Sequence, residues 1–371
     1  MSAACPDIPI VVLPENNLVR ARTRPAAAVE SALKEATAAL TRLHGALLHP
    51  KGAGEALGPA LDEAVDQLGR LAVEAAVPPL EAVAALTPIV PNHDYFGVRT
   101  AAIDDARLVS EVTTIIARTL VDLREARLDL NDRAAEVRAM RHVLEGLVPD
   151  DGAPAPHQGA RAMPYVPGKD ELTRWIVTHH FYFVLNLAAA DAVSRAITAL
   201  SAADRPAATA ALREAVVYVR GFTAAMMHSG DMSAPCYDAE VRPTMAPPAV
   251  PVALTGRTQP EHRAYRKAMR ALVRVCPEPF AELAAADPEL ARARDALLDA
   301  DLLDIERHVI VTAALVGDDS SIVQEHESAE SAIATLRTMR HTRAETYRDL
   351  MRFGDPVTLT AHLPTERVKP S

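Results

Sequence analysis

The strongest constraint on the fold lies at Trp175–Ala190, WIVTHHFYFVLNLAAA, where no Asp, Glu, Lys or Arg interrupts a helical pattern running from Leu172 to Leu200. A helix that is apolar all round cannot lie on a protein surface, so other helices must pack around it. It carries His179, His180 and Asn186 into that interior. Adjacent helical residues point about 100° apart. His179 therefore shares a face with Trp175, Phe183 and Asn186, whereas His180 shares one with Ile176, Phe183, Val184 and Leu187. Each imidazole is either a satisfied core group or an acid/base facing a pocket.

The rest of the chain agrees with a helical interior. Apolar residues make up 49% of 371, aromatic residues only 4%, alanine runs are frequent and strand-like alternation is scarce. The expected class is all-α. Helical patterning covers Ala26 to Leu48, Leu57 to Ala76, one long amphipathic run from Ala102 to Leu147, Ala207 to Met227, Ala264 to Arg274, Leu297 to Val316 and Ser328 to Phe353. Residues 1–25, with Pro6, Pro9, Pro14 and Pro25, read as an extended strap. The Pro149-to-Pro156 stretch is the best boundary, dividing a helical region 1–150 from a second helical domain 151–371.

The formal charge is −10 with no dense Lys/Arg block, so nucleic acid is not an expected partner. Cys5, Cys236 and Cys276 are too few and scattered for a disulfide framework or a zinc site, which suits a reducing compartment. The N-terminus lacks the pattern of a signal peptide. No stretch reaches the roughly 18 uninterrupted apolar residues of a membrane span. A cytoplasmic protein without membrane partners is expected.

Three further segments can carry chemistry. The first is the helix from Asp301 to Gly317, where Ile305, Val311, Thr312 and Leu315 share the side of His308. A neutral imidazole on that face would bind a carbonyl, Asp304 one turn earlier, or a metal. The second is the loop PIVPNHDYFGVR, in which His93 could be an acid/base and Arg99 an anion clamp, or Tyr95 and Phe96 could plug the core. The third is Arg242, fixed by Pro243 and suited to a carboxylate. After it, Leu254 to Arg263 offers small residues, Thr255 and Gly256, for close backbone approach to a ligand. Thr258 and Glu261 also read as a plain capping box.

Taken together, THHFYFVLNLAAADAVSRAI, CYDAEVRPTMAPP with LTGRTQPEHR, and ERHVIVTAALVG resemble, in order, segments of the heme-dependent aromatic oxygenases: the indoleamine and tryptophan 2,3-dioxygenases and the histidine-ligated heme L-tyrosine hydroxylases. The resemblance covers about Leu172 to Gly317, and residues 1–150 take no part in it. It implies a multi-helix bundle holding heme between central helices, with His308 as the iron ligand. Among distal acid/base candidates it ranks His180 first, His179 second and His93 third. It further implies Arg242 on the substrate carboxylate, Thr255, Gly256 and Phe183 against the substrate, and Arg257 beside the cofactor. Some relatives tether heme through a cysteine four residues after the ligand; Thr312 stands there, so a non-covalent heme b is implied. The expected reaction is ring hydroxylation of an aromatic L-amino acid, tyrosine before tryptophan, with peroxide or dioxygen, in a chain that could form a homodimer. A non-catalytic helical interaction protein is the competing class.

Overall fold

The apolar segment forms α6, Glu171–Ser201, and its buried residues run from Ile176 to Ala196 on every side. In the computed structural model, residues 10–49, 54–78, 90–148, 171–317 and 331–353, with positions 80, 86 and 88, are described. Among these α6 alone is long and apolar enough to cross a membrane by length and composition, yet most of that window is covered by neighbouring helices. Its small residues Ala188, Ala189 and Ala192 let the antiparallel α7, Arg205–Ser229, approach closely. Gly221 of α7 lies where a methyl group would collide with the Ala139 side chain and press on Leu185. Asp204 caps α7, accepting from the Ala207 amide at 3.0 Å.

The N-terminal region is part of the same core. A hairpin of α1, Ala27–Leu48, and α2, Gly54–Glu74, leads to the short α3, Pro91–Tyr95, then α4, Asp105–Leu123, and α5, Leu130–Glu145. The single long helix expected over 102–147 is thus two, because Asp129 caps the second by accepting from the Asp132 amide at 2.8 Å. α4 packs on α6 and α5 on α7. Leu33, Val137, Val184 and Leu297 belong to one buried cluster, so the division proposed near residue 150 does not interrupt the core.

The expected N-terminal strap is also corrected. Val11–Pro14 is a fully buried strand, β1, pairing in parallel with β2, Val98–Ala101. Gly97, at φ 64°, makes the left-handed turn between α3 and β2 and accepts from the Val11 amide at 3.0 Å.

Past α6 and α7 come α8, Ala234–Cys236, a π-turn at Tyr237–Val241 and a tight turn at Arg242–Met245. Then follow α9, Pro260–Val275, α10, Phe280–Ala286, and α11, Pro288–Val316. Asp287 caps α11, and Gly317, at φ 79°, ends it. α12, Ala332–Tyr347, covers α11. Buried Asp301 joins three helices, accepting from Tyr265 at 2.8 Å, Tyr347 at 2.7 Å and Arg266 at 2.6 Å, with Arg343 at 3.1 Å. These donors and cations hold its carboxyl below the usual range against the opposing pull of burial. That knot lies two turns before His308 and fixes the register of α11.

Candidate active site

α11 brings His308 to the interior on the apolar face that sequence periodicity implied, with Ile305, Thr312 and Leu315 buried beside it. No hydrogen bond or ion pair reaches its imidazole among the described residues, and burial alone lowers its pKa to about 4. Asp304, which could have held the ring, instead accepts from Thr223 at 3.1 Å. An uncharged imidazole without a protein partner keeps a lone pair available for a metal.

Two other imidazoles lie within electrostatic reach of His308. His179 on α6 is lowered to about 4 by burial and then by His308, and His262 in the first turn of α9 to about 3 by burial, then by Arg266 and Arg343, and least by His308. All three histidines, with Trp175 and Tyr182, are partly exposed to solvent. His179 Nδ1 lies 2.6 Å from the Trp175 carbonyl. A carbonyl only accepts, so Nδ1 carries the proton and Nε2 keeps its lone pair. The ring stacks on Phe96, centroids 4.4 Å apart at 17°, and lies 4.2 Å from the Trp175 ring. His262 Nδ1 is 3.5 Å from the Tyr182 hydroxyl, whose pKa is raised by burial first and then by Asp304.

The distal candidates sit in different surroundings. His180 is 1% exposed and donates from Nε2 to the Phe96 carbonyl at 2.6 Å. It therefore anchors the wall. His93 is fully enclosed, with Nε2 2.8 Å from Glu261 Oε1. Phe183 is likewise enclosed, packed edge-on against Phe96 and Tyr182. His262, which the sequence reading treated as part of a helix start, joins His179 and His308 instead. Its spacing to the buried Tyr265 and Met269, three and seven residues on, was the available signal.

Arg242 begins the turn after the π-turn and lies half-buried, 3.2 Å from Asp238. It also stabilises the ionised form of Tyr237, whose ring is 6.2 Å from that of Trp175. This places its guanidinium at the edge of the aromatic wall. Arg99, the other candidate clamp, is committed to Asp94 at 3.1 Å and to the Val98 carbonyl. The Thr255 carbonyl accepts from Asn92 at 3.2 Å and from Thr258 at 2.8 Å, so the loop is held by protein. Gly256 has no close neighbour that a side chain would meet, so no close approach explains it. Thr258 donates to Asn92 and Thr255 and does not cap α9, which starts at Pro260. The Arg257 side chain lies outside the described residues.

These residues fit a heme at His308, on the grounds of a neutral, unpartnered imidazole donor and a facing wall of Trp175, Phe96 and His179. Thr312, 3% exposed, offers no sulfur for a tether.

A family model described as SfmD 3-methyl-L-tyrosine peroxygenase matches residues 17–293. The match includes the N-terminal region that the sequence resemblance left out, and stops before His308. A 3-methyl-L-tyrosine peroxygenase from Streptomyces lavendulae is 27% identical over 259 residues, 68% of this chain and 69% of that one. The crystal structure of reduced SfmD, soaked with sodium hydrosulfite, has 21% identity, covers 81% of this chain and 97% of that chain, and aligns with a TM-score of 0.48. An all-helical fold and a family match across most of its length lead to one conclusion: the chain belongs to the SfmD 3-methyl-L-tyrosine peroxygenase family, and is a heme-dependent oxidoreductase.

Proposed function

We propose that this protein hydroxylates the ring of tyrosine or a ring-methylated tyrosine with peroxide, using a non-covalent heme b held by His308. The observation that carries the reading is the desolvated, unpartnered His308 imidazole with the lone-pair-bearing His179 in electrostatic reach. When bound, heme supplies the oxidising iron. The chain supplies the rest. His179 Nε2 can accept a proton from one peroxide oxygen and return it to the other, because Trp175 fixes its tautomer. His262, beside Tyr182, can serve the substrate hydroxyl in the same way. Trp175 and Tyr182, partly exposed beside His179, offer flat surfaces suited to an aromatic ring, with Phe96 packed behind them. Arg242 is the candidate for the amino-acid carboxylate, exchanging Asp238 for the ligand. Free Cys236 and Cys276 support a reducing, cytoplasmic setting.

The test is hemin titration of the parent, His308→Ala and Arg242→Ala, then product analysis with tyrosine, 3-methyltyrosine or tryptophan and peroxide. His308→Ala should fold but fail to bind hemin with the parent absorption spectrum. Acid extraction should strip the pigment from the parent. Arg242→Ala should keep the heme and lose about one to two decades in amino-acid affinity, as expected for a charged hydrogen bond of about 1.5–3 kcal/mol. The amine lacking the carboxylate should show no such loss. An unaltered ferric spectrum in His308→Ala would sink the assignment.

A further inference from the structure

Two loops far apart in sequence are joined beneath the cavity wall. Asn92 donates to the Thr255 carbonyl at 3.2 Å and accepts from Thr258 at 2.7 Å. Tyr95 and Thr244 share a hydroxyl contact at 2.8 Å. Between these sits the pair of His93 Nε2 and Glu261 Oε1 at 2.8 Å, with the two side chains 0% and 3% exposed. His93 Nδ1 and Glu261 Oε2 have no hydrogen-bond partner. No Lys or Arg forms an ion pair with Glu261 among the described residues. A buried carboxylate with one of its oxygens unsatisfied is a poor source of stability, since desolvation opposes the gain from pairing. What such a pair supplies is geometry.

Its location says which geometry. Glu261 is followed directly by His262, and both stand in the first turn of α9. His93 is three residues before Phe96, whose ring stacks on His179 and whose carbonyl holds His180. The pair therefore joins the backbone that carries one cavity imidazole to the loop that orients the other.

We propose that the His93–Glu261 pair is a positioning device that sets His262 and the Phe96–His179 wall at one mutual distance. The inference rests on the proposed reading of the cavity. Neither residue touches the reacting groups; each acts through its neighbour. A carboxylate oxygen facing His93 is what matters, so an amide oxygen in its place should largely serve, whereas a methyl group should not.

The experiment compares Glu261→Gln and Glu261→Ala with the parent, as full chains with and without hemin. In Glu261→Ala, amide hydrogen exchange should accelerate together at 92–97 and 259–264. In the hemin-loaded protein its kcat should fall about ten- to hundredfold, the usual penalty for misplacing a catalytic group by an ångström. KM and hemin affinity should stay within about threefold. Glu261→Gln should recover most of kcat. Parent-like kcat in Glu261→Ala, or faster exchange at 259–264 alone, would overturn the inference. The exchange arm is read without hemin, so it stands even if His308→Ala keeps its heme and the cavity reading fails. Separate exchange with an intact hemin site overturns this inference alone.

Discussion

At the end of α7, fully buried His228 sits between Asp122 at 2.9 Å and Glu136 at 3.1 Å, while His262, partly exposed, faces a hydroxyl and no ion-paired carboxylate. Burial opposes a charge at both places. In the first, two carboxylates overcome it and raise His228 to about 9. In the second, the nearby Arg266 and Arg343 cations add to burial, Asp301 offsets only part of it, and His262 falls to about 3. The network around His228 extends through Arg174, which donates to Asp122 at 2.9 Å and contacts Asp231, so α4, α5, α6 and α7 meet there. Within one helical bundle, the same side chain is a charged structural tie where two carboxylates flank it and a neutral group where burial and nearby cations prevail.

That contrast can be broken most forcibly at His228. His228→Leu leaves Glu136 buried without its cation and should cost about 3–5 kcal/mol in urea unfolding. Hemin binding by the surviving folded protein should be unchanged. A cost below about 1 kcal/mol would mean that the tie is not charged.

The second handle is pH. A histidine raised from about 6.5 unfolded to about 9 folded contributes stability that is fully present below pH 6.5 and lost as pH rises through 9. The sum is about 3 kcal/mol. Depressed His180 and His262, both near 3, act in the opposite direction. Their contribution is present above pH 6.5 and lost as pH falls towards 3. Urea midpoints of the parent should therefore decline on the alkaline side, and His228→Leu should lack that decline. An identical alkaline limb in both proteins would assign it to other groups.

The smallest effect is steric. Gly221→Ala should cost about 1–3 kcal/mol, the range for overpacking a filled interior, because the new methyl meets Ala139 on α5 and Leu185 on α6. Hemin binding and the charged His228 tie should both persist. Loss of hemin affinity in that variant would show that the spacing of α6 and α7 governs the site directly.

Much of this was legible from residue order. The uncharged run of α6, the helices α1 and α7, and the apolar face of His308 follow from a period of 3.6 and from composition. The break at Arg124–Asp129 was missed because EARLDL is made largely of good helix formers and lacks Gly or Pro, leaving only Asp129 as a sign of a new start. β1 was missed because a short strand buried on both faces shows no alternation. Choosing between His179 and His180 was beyond local pattern. The Phe96 carbonyl, 84 residues away, holds the His180 imidazole while the Phe96 ring stacks on that of His179. His262 was hidden by a plausible capping box whose threonine is occupied elsewhere.

The β1–β2 pairing has a consequence for the order of folding. The α1–α2 and α6–α7 hairpins join neighbours in sequence and can form as soon as those residues are available. The parallel strands instead bring Val11 against Val98, closing a loop that contains both helices of the first hairpin. Loop-closure entropy makes such a contact late. The segment it anchors, through Gly97, carries His93 and Phe96. The wall of the cavity is then among the last parts to be fixed, and a nascent chain can assemble its helical scaffold before the site closes.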